Sequence, residues 1–141
     1  NEGSFADQDK KARKEIKARF EQHNPDLVFT HSPDDFHTDH QDTHSLVIDT
    51  YDSIDTITTD IYVFDIWTIW NMEKRGWPRL YIEIDETYPD KINALHEFTS
   101  QINLVSHTVL NNYVYLKQYI TAVINGFYTD SFFAEVFYKV R

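Results

Sequence analysis

Cysteine is absent from the 141 residues, so the chain forms neither a disulfide nor a thiolate zinc site. That absence is compatible with a reducing compartment, and a cytoplasmic location is the expectation. Positive charge is scarce. Thirteen lysines and arginines stand against 23 aspartates and glutamates, a formal charge of −10. A surface of that sign repels phosphate backbones, which argues against a nucleic-acid partner. Long apolar runs are missing too. A membrane helix needs roughly 20 apolar residues, and the longest candidate run, Ile61 to Trp70, is interrupted by Asp65 and Thr68. No charged-then-apolar signal opens the chain. It begins at Asn1 without a methionine, as a processed product or a fragment would. What is present is enough for a packed core: 41% of residues are hydrophobic and 16% aromatic, which excludes a disordered chain.

Periodicity divides the chain. Asp7 to Gln22 is charged, with Ala12, Ile16 and Phe20 spaced four apart, and predicts a solvated helix with one apolar stripe. Pro25 ends it. Leu27 to Thr30 reads as a strand buried on both faces. His31 to His40 is polar and reads as a loop, and Thr38 or Asp39 is the expected N-cap of a helix running from about Asp39 to Tyr51. Strands follow at Ile61 to Ile66 and at Leu80 to Ile84. Pro89 to Ile102 is helical, with proline in the first turn. Leu110 to Asn125 is helical, with Gly126 as its C-cap, and Phe132 to Val140 is a last strand. With no internal repeat, low-complexity tract or linker, residues 1–141 read as one α/β domain.

The chemistry is concentrated in the loop that follows the first strand. It holds His31, Asp34, Asp35, His37, Asp39 and His40, groups that bind metals or move protons. Sites in open α/β sheets lie beyond the carboxyl ends of strands. His40 and His44 are four apart, so they share a helix face. His37 stands at the helix start, where the dipole lowers a histidine's pKa or favours an anion. Asp39 is placed to accept a histidine ring N–H and fix its tautomer. A histidine pair at helical spacing is, by itself, more often a solvated face. The density of the cluster directly after a strand weighs the other way, and the residues alone leave both readings open. A catalytic zinc needs about three protein ligands and an open position, and this loop offers one or two.

Three stretches together resemble the PIG-L/LmbE-like de-N-acetylases. Asp35-x-His37-x-Asp39-His40, after Pro25-Asp26-Leu27-Val28-Phe29-Thr30-His31, is similar to that family's second signature. Lys91-x-x-Ala94-Leu95-x-x-x-Thr99-Ser100-Gln101 is similar to its Ser-Gln helix, and Phe133-Ala134-Glu135-Val136-Phe137 to its closing strand. The resemblance implies a Rossmann-like three-layer α/β fold with a mostly parallel sheet. It also implies metal-dependent hydrolysis, by zinc or another divalent ion, of an N-acetyl group on an amino sugar of the N-acetylglucosamine type. On this reading His40 binds the metal, and His37 polarises the amide carbonyl or stabilises the oxyanion. Asp39 is catalytic by orienting a histidine, and Asp35 shapes the substrate-binding floor. The metal lowers the pKa of bound water to near 7.

The chain departs from the family at Thr38, where proline or glutamine is usual, and at Phe98, where a histidine is favoured and His96 lies two residues earlier. More consequentially, the first signature, Ala-His-Pro-Asp-Asp, has no counterpart before Asp35. Ser32-Pro33-Asp34-Asp35 is only superficially like it. The expectation is therefore the C-terminal part of a deacetylase domain lacking its N-terminal strands, inactive without them. A missing N-terminal segment or partner chain would complete it, and exposed sheet edges and apolar faces would favour a homo-oligomer. The alternatives are a catalytically incomplete binding or assembly module of the same fold, and an amidase for another small amide conjugate. Trp67, Trp70 and Trp77 read as core or interface before a sugar-stacking platform. Tyr113, Tyr115 and Tyr119 read as core or interface, and His107 as structural or exposed.

Overall fold

The computed structural model describes residues 5–65, 76–97 and 107–141. In chain order the elements are α1 (Phe5–His23), β1 (Leu27–His31), α2 (Thr38–Asp52), β2 (Asp60–Phe64), β3 (Arg79–Glu83), α3 (Tyr88–His96), α4 (His107–Gly126) and β4 (Ala134–Lys139). The strands follow the order β1-β2-β4-β3. β1 and β2 are parallel, with Leu27 opposite Asp60 and His31 opposite Phe64. β2 and β4 are antiparallel, with Val63 opposite Tyr138. The expected α/β class holds, but the sheet is mixed rather than mostly parallel, because β4 returns against β2.

Contacts gather the chain into two compact units, residues 1–78 with 138–141, and residues 79–137. In the first, β1, α2 and β2 make a β-α-β unit, and α1 packs on α2. The predicted stripe of α1 is borne out: Ala12 and Ile16 are half-buried and Phe20 is buried, its ring 5.8 Å from that of Tyr51 on α2. Asn24 closes the helix at φ 40°, its N–H bonded to the Phe20 carbonyl. Asparagine tolerates this left-handed conformation better than most residues. The centre of the unit is β2, where Ile61 and Val63 are fully buried. Each such side chain contributes about 1.5–3 kcal/mol by leaving water. The expectation of burial on both faces fails for β1. Leu27 and Phe29 are exposed and Thr30 is buried, the alternation of a strand that ends the sheet order and is covered on one face.

The second unit carries β3, α3, α4 and the first four residues of β4. Pro89 sits in the first turn of α3, as predicted. Gly126 differs from its predicted role. It is the last helical residue of α4 and has no positive φ. A Cβ there would meet the carbonyl oxygens of Ser131 at 2.6 Å and Phe132 at 2.8 Å. Close backbone approach, and not a left-handed cap, requires the glycine. The turn is tied by Gly126's carbonyl, which accepts the N–H groups of Thr129 and Ser131. Asp85 holds the chain before β4 by accepting the N–H of Phe132 at 3.2 Å and of Phe133 at 2.6 Å. Ile120 and Ile124 on α4 are exposed, as is Leu116. Phe98, Thr99 to Gln101, Ile102, Trp67 and Trp70 lie outside the described residues; Trp77 is half-buried.

Candidate active site

The polar loop leaves the carboxyl end of β1 and enters α2, so strand and helix between them position its side chains. His31 is the last residue of β1. Ser32 and Asp35 are buried, while Phe36, His37, Thr38 and Asp39 are exposed. Ser32's hydroxyl donates to Asp34, and its carbonyl accepts the Asp35 N–H at 3.3 Å. The Asp35 carboxylate turns forward: Oδ1 accepts the His37 N–H at 3.1 Å. The Asp35 carbonyl accepts the Gln41 side-chain amide at 2.7 Å.

This turn also corrects the cap. The N-cap of α2 is His37, in extended conformation and without a side-chain cap bond, instead of Thr38 or Asp39. The turn at Asp35 delivers its carboxylate to the His37 N–H, and the His37 carbonyl then accepts the N–H groups of His40 and Gln41. The cap thus lies one residue before the expected capping hydroxyl, and Thr38 is already the first helical residue.

His40 is the centre of the cluster. Its Nδ1 lies 2.9 Å from Asp35 Oδ1, a carboxylate wholly out of solvent. The N–H does not point squarely along that line, so the pair is a close polar contact and not an aligned hydrogen bond. On the other side the His40 ring stacks on His31, with centroids 4.0 Å apart and planes 4° from parallel. The His37 ring is 5.2 Å away and tilted. His44 donates its Nδ1–H to the His31 carbonyl oxygen at 2.9 Å, since a carbonyl only accepts. The predicted shared face of His40 and His44 is therefore present and both side chains reach His31. Burial, and then the neighbouring His40, hold the His31 imidazole below its ordinary pKa, against the pull of Asp35.

Sequence reasoning placed His31 in the loop but assigned it no role. Its signal was position, as the final residue of a strand pointing at the cluster. Asp39 is exposed in the first turn of α2, where its carbonyl accepts the Thr43 hydroxyl. Among the described residues, the carboxylate beside a histidine ring is that of Asp35. In the second unit, two residues of the companion stretches meet: Lys91 Nζ is 2.5 Å from Glu135 Oε1. His96 is exposed and stacks on Tyr115.

Residues 1–51 match the family model PIG-L, GlcNAc-PI de-N-acetylase. The resemblance is thereby supported where the PIG-L signature lies: the match spans α1, β1, the whole loop and most of α2. The stretches at 91–101 and 133–137 fall outside it. No curated protein matches the chain. The PIG-L resemblance implies a metal, and the donors test that implication. His40, backed by Asp35, fits one ligand position. Among the described residues no group of three His, Asp or Glu is arranged to hold a metal ion, so the full set does not fit. Also among them, no helix is long and apolar enough to cross a membrane.

Proposed function

We propose that this chain carries the second half of the catalytic site of a metal-dependent de-N-acetylase acting on an N-acetylglucosamine-type conjugate. The observation that supports it most is the buried Asp35 carboxylate 2.9 Å from His40 Nδ1 at the carboxyl end of β1. In this reading His40 is a zinc ligand. His37, exposed and adjacent, meets the amide carbonyl. Asp39, exposed on the first helical turn, orients one of these histidines, and Asp35 underlies the substrate floor. The remaining ligands and the base that activates water come from outside the described residues. Residues 1–141 then form the C-terminal part of one Rossmann-like deacetylase domain. The exposed Leu27 and Phe29 on an edge strand support a further segment, partner chain or second copy against the sheet.

The test combines metal and turnover. Elemental analysis of the 141-residue chain should find weakly held zinc that His40→Ala removes. N-acetylglucosamine conjugates should not be turned over by the chain alone. They should be turned over when a segment bearing Ala-His-Pro-Asp-Asp is supplied. Robust turnover by the isolated chain sinks the incomplete-site argument. No zinc and no turnover in either setting favours a binding module that kept the fold and lost catalysis.

A further inference from the structure

The cluster contains a buried carboxylate whose contact with a histidine has a chemical consequence. We infer that Asp35 is the positioning residue that fixes the tautomer of His40, placing the proton on Nδ1 and the lone pair on Nε2. The inference rests on the proposed role of His40 only for its use; the tautomer itself follows from geometry.

Asp35 is 1% exposed, and its Oδ1 lies 2.9 Å from His40 Nδ1. In the neutral ring one nitrogen carries the proton and the other a lone pair. A lone pair on Nδ1 would lie close to a carboxylate oxygen, 2.9 Å from the nitrogen, with little water to screen the two, which is repulsive. A proton there is attracted to it even though the N–H is off line. The loop prevents Asp35 from turning away, because its Oδ1 also accepts the His37 N–H and its carbonyl holds the Gln41 amide. The His40 ring is prevented from tilting by the parallel His31 ring at 4.0 Å. The remaining nitrogen, Nε2, is thereby presented as a donor to an electrophile. A carboxylate behind a ligating histidine raises the basicity of the free nitrogen and fixes its direction. The exposed Asp39, next to His40 in sequence, is not needed for this.

The test is nitrogen-detected long-range NMR of the whole chain, metal-free, at a pH where His40 is neutral, with its signals assigned by their loss in His40→Gln. The expected result is a protonated Nδ1 and an unprotonated Nε2 in the wild type, a mixture of tautomers in Asp35→Asn, and the wild-type pattern in Asp39→Asn. An Nε2-protonated wild type overturns the inference. So does a pattern that moves in Asp39→Asn and not in Asp35→Asn. If Asp35→Asn does not fold, as judged by circular dichroism, the wild type and Asp39→Asn still decide. The readout needs neither zinc nor substrate. A correct tautomer with no deacetylase activity therefore removes the functional reading alone.

Discussion

The two compact units treat their large apolar side chains differently. In the unit of residues 1–78 and 138–141, Phe20, Ile48, Ile61, Val63 and Tyr138 are buried, and polar groups are buried with them: Thr30, Ser32, Asp35 and Thr50. Among the described residues of 79–137 the buried hydrophobic residues are small, Ala122 and Ala134, while Ile120, Ile124, Phe127 and Phe132 stand exposed. The first unit is a closed packing problem with a polar site let into its rim. The buried Asp35 carboxylate is met by the backbone N–H of His37. In the second, backbone ties at Asp85 and Gly126 secure the chain before β4. An apolar residue on a helix is therefore buried where another element faces it and exposed where none does.

Four measurements break or sharpen that contrast. The largest effect belongs to Ile61→Ala, which empties a fully buried position on β2 and should lower unfolding stability in urea by about 2–5 kcal/mol. A loss under 1 kcal/mol would mean that the first unit is no better packed than the second. Next is Gly126→Ala, whose methyl group would collide with the Ser131 and Phe132 carbonyls. It should cost about 1–3 kcal/mol, since backbone must shift; a neutral result would show that the turn after α4 yields easily.

The third concerns pH. His31 has its pKa lowered from 6.5 in the folded chain, so the unfolded chain binds its proton more readily. The stabilisation is complete above about 6.5 and is lost as pH falls below that value toward the folded pKa. The urea midpoint should decline across that window, and His31→Asn should flatten the decline. An unchanged slope in the variant would remove His31 as its source. The smallest effect is Ile120→Ala, the same deletion as the first at an exposed position, expected within about 0.5 kcal/mol. A loss as large as that of Ile61→Ala would show that the exposed face of α4 is covered in solution.

Much of the local structure was legible in the residues. The four-residue spacing of Ala12, Ile16 and Phe20 placed α1, the apolar run at Ile61 placed β2, and Pro89 marked the start of α3. These are short-range facts, because helical and extended periods repeat over a few residues and report on one face at a time. The polar loop between β1 and α2, the shared face of His40 and His44 and the acidic, cysteine-free surface were legible for the same reason. Tertiary structure decided what lies across turns. It set Asp35, five residues before His40, beside the ring, and left adjacent Asp39 in solvent. It stacked His31 on His40 across nine residues, moved the cap to His37 and made β1 an edge. Each depends on the path of a loop and on which element lies opposite, and neither is encoded in a period.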